Sequence, residues 1–177
     1  CPKAHYGKRS IMTTTYQAIR KRAKAPEKET VLFLADMVRT PSFSSKEEKV
    51  IGVIKKEMKK AGFDEVRIDG LGSIIGRIGK GRRVIAFDAH IDTVYPGDLD
   101  QWKSDPFQPR IKDGKIWGRG TVDQKGGMAS MVYAAKIIKE LGLNDQFTIY
   151  FTGTVMEEDC DGLCWQYLLK EEKLKPE

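Results

Sequence analysis

The sequence predicts an α/β fold, with a mainly parallel but mixed sheet flanked by helices, and three observations carry that reading. Two short runs, Val84 to Asp88 and Phe147 to Phe151, are apolar at nearly every position, as expected of strands covered on both sides. Segments with apolar residues at helical spacing alternate with them. Gly- and Pro-bearing breaks separate the two kinds of segment, so helices and strands interleave along the chain. At 177 residues and 40% hydrophobic content, the chain fits one ordinary domain with a sizeable core.

Taken in order, Met12 opens an amphipathic helix and is a candidate native start, within a basic leader over residues 1–25. Residues 27–39 form a helix that TPSFSS (40–45) breaks, the proline forcing the residue before it to be extended. Ser44-x-x-Glu47 has the form of a capping box for the next helix. That helix carries Ile51, Ile54, Met58 and Ala61 and stops at Gly62. Residues 63–69 and 72–79 read as a half-exposed strand pair turning around Gly70 and Gly72, and Val84 to Asp88 as a central strand. A long loop (93–107) precedes a small hairpin turning at Asp113-Gly114. After GRGTVDQKGG, a helix presents Met128, Met131, Ala135, Ile138 and Leu141 on one face and ends at Gly142. The strand Phe147 to Phe151 comes next, and a last helix begins near Leu163.

Composition excludes several classes. No apolar stretch approaches the length of a membrane span, and the first ten residues lack the apolar core of a secretory signal, so a cytoplasmic location is expected. The net charge of +6 suggests a nucleic-acid partner until it is divided along the chain. Residues 1–30 hold 8 Lys/Arg against 2 Asp/Glu, while residues 31–177 hold 23 of each. A basic leader without interleaved aromatics reads as a solvated helix face, so neither nucleic acid nor a membrane is an expected partner. Three cysteines are an odd count; Cys160 and Cys164, four apart at a helix start, read as buried, reduced structural thiols.

In an open α/β sheet the site lies beyond the carboxyl ends of the strands. Both apolar strands here run into charge: the first into His90 and Asp92, the second into Glu157, Glu158 and Asp159. Asp123 sits between them in a glycine-rich turn ahead of a helix. So many carboxylates cannot share a cleft as free anions, and only Lys125 and Arg119 lie nearby in sequence to offset them. A pair of divalent ions resolves the conflict, with neutral His90 as a ligand. Asp92, two residues on, can accept the proton of the other ring nitrogen. In the Glu157-Glu158 pair one carboxylate can bind metal while its neighbour serves as general base. None of these signals is specific alone. GRGTVDQKGG has neither phosphate-loop spacing, so a nucleotide site is rejected. A non-catalytic α/β scaffold, or a binding module using the basic leader, stands as the alternative reading.

The segments HIDTV (90–94), GRGTVDQKGGMAS (118–130) and TVMEEDCDG (154–162) resemble the three amino-terminal signatures of the co-catalytic zinc hydrolases. That family includes acetylornithine deacetylase, succinyl-diaminopimelate desuccinylase, aminoacylase and the carboxypeptidase G type. The resemblance runs from about Thr30 to the end of the chain, and EEDCDGLCWQYLL is most similar to the selenium-metabolism-linked hydrolase branch. It implies a zinc-exopeptidase-like fold and hydrolysis of an amide or peptide C–N bond in a small substrate. Two divalent ions, zinc first with cobalt or manganese as alternatives, would be held by His90, Asp123 as the bridge and Glu158. Glu157 would be the general base, Asp92 would orient His90, and a cis peptide would follow Asp123. The family needs two further ligands and a lid or dimerisation domain that are absent here. Residues 26–177 therefore read as the amino-terminal part of an incomplete catalytic domain, poorly active alone, whose full-length form is a homodimer.

Overall fold

The computed structural model describes residues 6–160 and 162–177, with side chains described from residue 14 onward. Cys1 and His5 lie outside the described residues, as do the side chains of Lys8 to Ser10 and of Met12. The first helix, α1 (Tyr6–Ala23), contains Met12 and begins before it. It rests on α4 (Lys125–Glu140), with Arg22 ion-paired to Glu140. Next come α2 (Glu27–Val38) and α3 (Glu48–Lys60), then β1 (Glu65–Ile68), β2 (Ile74–Ile78) and β3 (Arg83–His90). The hairpin β4 (Arg110–Lys112) and β5 (Lys115–Trp117) turns at Asp113-Gly114, both with positive φ, as a two-residue hairpin turn requires. After α4 the chain runs through β6 (Phe147–Thr154), the single turn α5 (Glu157–Cys160) and α6 (Leu163–Lys170).

The main sheet has the order β1-β2-β6-β3. It is mixed as expected, but its parallel part is confined to the β3/β6 pair; β1/β2 and β2/β6 run antiparallel. One face packs against α3 and α4 through a core that includes Ile54, Met58, Ile78, Met128 and Phe151. Each such side chain contributes about 1.5–3 kcal/mol by leaving water. The buried side of α4 is broader than the expected stripe. Ala129, Val132 and Tyr133 are buried with Met128 and Ala135, whereas Met131 and Ile138 are only partly so, because α4 lies between the sheet and α2.

Two strand expectations need correction. The segment 84–88 belongs to a longer strand at the sheet's edge, where Phe87 is 45% exposed. An apolar run alone does not distinguish central from edge. The strand after α4 extends past Phe151 to Thr154, since Gly153 continues the ladder instead of breaking it. A Cβ there would stand 2.8 Å from both Ile74 and Met128, so this glycine answers to close packing. With that extension, the β3/β6 register runs from Arg83 opposite Phe147 to His90 opposite Thr154. Two parallel strands thus end flush and launch their next segments side by side.

Candidate metal centre

His90 is the last residue of β3 and is 5% exposed. Its Nδ1 faces Asp92, 3.2 Å from the backbone carbonyl and 3.4 Å from Oδ1. With Nδ1 as donor to Asp92, Nε2 is the nitrogen turned toward the cleft, 2.9 Å from Asp123 Oδ1. Asp92 is wholly buried, and its Oδ2 accepts hydrogen bonds from the Ser44 hydroxyl (2.7 Å) and the Glu158 N–H (3.0 Å). Oδ1 has no hydrogen-bond partner among the described residues. Burial alone would raise the Asp92 carboxyl, but the adjacent His90 ring and the bonds from Ser44 and the backbone outweigh it and hold the group below its ordinary range. Burial likewise pulls the His90 imidazole down, yet Asp92 and Asp123 push it up to about 9.

Asp123 comes from the turn between Gly118 and α4, and a cis peptide follows it, as the resemblance implied. The turn is pressed against its neighbours. Gly120 has φ +83°, and a Cβ there would lie 2.9 Å from Thr93. The Asp123 side chain is 73% exposed at the tip of this turn. The third segment leaves β6 through Val155 and Met156, whose φ of +57° turns the chain sharply into α5. Burial raises the Glu158 carboxyl, and the charges of Asp123, Asp92 and Glu157 add to it against the opposing pull of His90.

His90, Asp123 and Glu158 thus each offer a ligand atom, all within 4.8 Å of one another. Glu157 borders the group, with Oε2 3.9 Å from His90 Nε2. All five residues singled out from the sequence converge at the ends of β3 and β6. The two cations weighed as counter-charges are committed elsewhere. Lys125 is completely buried, its ammonium donating to the carbonyls of Met37 (2.9 Å) and Thr40 (3.0 Å), and burial lowers it to about 8. Arg119 donates to the Tyr95 carbonyl and lies over the Trp102 ring. Four carboxylates around one imidazole, in a cleft without a free cation among the described residues, form a donor set of Asp, Glu and His that fits a divalent ion.

Several residues take roles that their local sequence does not signal. Ser44 and Glu47 do not form a capping box: α3 starts at Glu48, Ser44 bonds Asp92, and Glu47 Oε1 accepts from the N–H groups of Ser45 (3.0 Å) and Met156 (2.9 Å). Asp88, whose role the sequence left open, accepts from Thr152 (2.5 Å) and Thr154 (3.0 Å), and burial pushes it up to about 6. Only one of the two thiols is buried. Cys164 lies inside the fold, but Cys160, at the end of α5, is exposed.

The sequence profile of peptidase family M20/M25/M40 matches residues 86–176, the part of the chain that holds His90, Asp92, Asp123, Glu157 and Glu158. YgeY of Escherichia coli strain K12 is 52% identical over 162 residues, which cover 92% of this chain. The chain belongs to the M20/M25/M40 peptidase family. Succinyl-diaminopimelate desuccinylase of Acinetobacter baylyi is 34% identical over 132 residues, 73% of this chain and 35% of that enzyme. The chain spans about two-fifths of the length of YgeY. Among solved structures, aminopeptidase PepT of Bacillus cereus matches with a TM-score of 0.63 at 30% identity, over 84% of this chain and 41% of its own. Human carnosine dipeptidase 1 shares the fold with a TM-score of 0.73 at 23% identity, over 89% of this chain and 38% of its own. So does YXEP of Bacillus subtilis, a dinuclear metal binding peptidase of the M20 family, with a TM-score of 0.63 at 19% identity over 86% of this chain and 41% of its own. The α/β sheet with its helices is therefore the M20 peptidase fold, over part of that fold's length.

Proposed function

We propose that this chain carries the amino-terminal, ligand-bearing part of a metal-dependent hydrolase of amide or peptide C–N bonds, of deacylase or peptidase type. His90 through Nε2, Asp123 and Glu158 would hold metal, Asp92 would orient His90, and Glu157 would be the general base. The observation that carries this reading is the convergence of three ligand atoms from three segments within 4.8 Å, beside two cations that point away. Family membership supports it, and the naming of YXEP as a dinuclear metal binding peptidase supports a pair of ions. Zinc suits the mixed imidazole and carboxylate donors, with cobalt or manganese able to replace it.

When bound, such ions supply positive charge to polarise the amide carbonyl and to make water acidic. The chain's own groups do the rest. Asp92 holds the Nδ1–H of His90, which fixes the tautomer and presents Nε2. Glu157, 40% exposed at the rim, takes a proton from the attacking water and passes it to the nitrogen departing as the C–N bond breaks, so that amide and water become carboxylate and protonated amine. The substrate is a small amide or peptide. Two ions need more donors than these three side chains supply, so the 177-residue chain by itself is expected to hydrolyse amides weakly.

The test is the metal content of the purified protein by plasma mass spectrometry. Bound zinc that Asp123→Ala removes is the expected result. No zinc, or zinc unaffected by Asp123→Ala, would leave the non-catalytic scaffold as the better reading.

A further inference from the structure

Two of the three segments that carry the ligands leave paired strand ends and are joined by the Glu158 N–H to Asp92 bond, while the third is the exposed tip of a turn. Each is also tied to one stretch of chain. The carboxyl end of α2 and the loop to α3, residues 37–47, hold the His90–Asp92 segment at three points. The Ser42 hydroxyl donates to the Ile91 carbonyl (2.7 Å), the Thr93 N–H donates to the Ser42 carbonyl (2.9 Å), and the Ser44 hydroxyl donates to Asp92. The Asp123 turn is held by Lys125, whose buried ammonium reaches the carbonyls of Met37 and Thr40. The Glu157-Glu158 segment is held by Glu47, whose carboxylate takes the Met156 N–H at the residue where the chain turns.

Ser42, Glu47 and Lys125 are all buried, a costly placement for polar groups unless the bonds they make are needed for the fold or the site. Spread over ordinary turns, these bonds would be unremarked stabilisers. Here every one ends on a backbone or side-chain atom within two residues of a ligand, or of Asp92 or Glu157, or reaches out from such a position.

Resting on the metal reading of this site, we propose that residues 37–47 form a brace that sets the mutual spacing of the three ligand segments. Ser44 and Glu47 within it, and Lys125 reaching into it from the Asp123 turn, are positioning residues, acting through Asp92, Met156 and that turn and touching no substrate. Their loss lowers the affinity for metal in a protein that is still folded.

The experiment measures zinc affinity at pH 7 by competition with a chelating dye, alongside circular dichroism of the metal-free protein at the same temperature. Ser44→Ala and Glu47→Ala should each weaken zinc binding about 10- to 100-fold, the usual effect of removing a group that orients a ligand, with the metal-free spectrum unchanged. Ser44→Thr and Glu47→Gln keep a donor or acceptor in place and should recover most of the affinity. Lys125→Met should weaken binding as well; if it does not fold, Ser44→Ala decides, because its hydroxyl is only half-buried. Zinc affinities of Ser44→Ala and Glu47→Ala within twofold of the unsubstituted protein would overturn the brace and leave the metal reading standing. Absence of zinc binding by the unsubstituted protein would overturn the metal reading itself.

Discussion

Glu157 lies 3.9 Å from His90 Nε2 yet outside the three-ligand cluster, and this separation of roles can be tested by substitution. Glu157→Gln keeps the size of the side chain and removes its basicity. Bound metal should stay at the level of the unsubstituted protein while kcat on an amide substrate falls about 10²- to 10⁴-fold. Loss of metal together with activity would instead make Glu157 a ligand. The thiols offer a second residue-scale check. Exposed Cys160 should react with a thiol reagent in the folded protein, whereas Cys164 should react only after unfolding, its thiol pushed up by burial. Peptide mapping after limited alkylation would show this, and equal labelling of both would contradict the packing of α6. The residues legible in the sequence were those whose chemistry is local. His90 ends β3 and Asp92 follows it, Asp123 precedes α4, and Glu157 and Glu158 open α5 just after β6. Ser44 and Glu47 were not legible, because their partners lie 48 and 109 residues away and the nearby helix offered a plausible local use for both. For Lys125 the sequence supplied the charge and not its direction.

At the scale of elements, the site depends on how α4 and β6 are fastened to the rest of the sheet. The Lys139 ammonium bridges Asp64 (2.6 Å) and the Gly62 carbonyl (2.6 Å), and Asp64 also accepts the Gly79 N–H (2.7 Å). The Lys139 hydrogen bond holds the Asp64 carboxyl below its ordinary value. A carboxyl lowered in the folded state stabilises it above the unfolded value, near 3.8, and that contribution is lost as pH falls through the folded value. Asp64→Asn should therefore cost about 1 kcal/mol at pH 7, and the difference should shrink below pH 3.8 in urea unfolding. A cost independent of pH would show that the ion pair is not its source. The turn into β3 is tighter still. A Cβ on Gly81 would stand 2.0 Å from the Gln146 carbonyl carbon, so Gly81→Ala should destabilise by about 2 kcal/mol or more. Element types were well marked by apolar period, but the extent of β6 was not. The apolar run ends at Phe151, and only the approach of Ile74 and Met128 accounts for Gly153 within the strand.

At the scale of the molecule, the order of helices and strands predicted the α/β class, while the edge position of β3 depended on pairings that no single segment encodes. No helix among the described residues is long and apolar enough to cross a membrane. The fold brings two flush parallel strands and one glycine-rich turn together, and the acidic cluster at their ends is what the M20 family relationship would lead one to expect of a metal site. The most direct measurement is a crystal structure of the protein grown with zinc, using anomalous scattering at the zinc edge. The expected result is zinc peaks at this cluster, one about 2.0–2.2 Å from His90 Nε2 and one at a similar distance from a carboxylate oxygen of Glu158, each also within reach of Asp123. A zinc-soaked crystal with no peak there, or with zinc bound only at sites that exclude His90 and Asp123, would contradict the account.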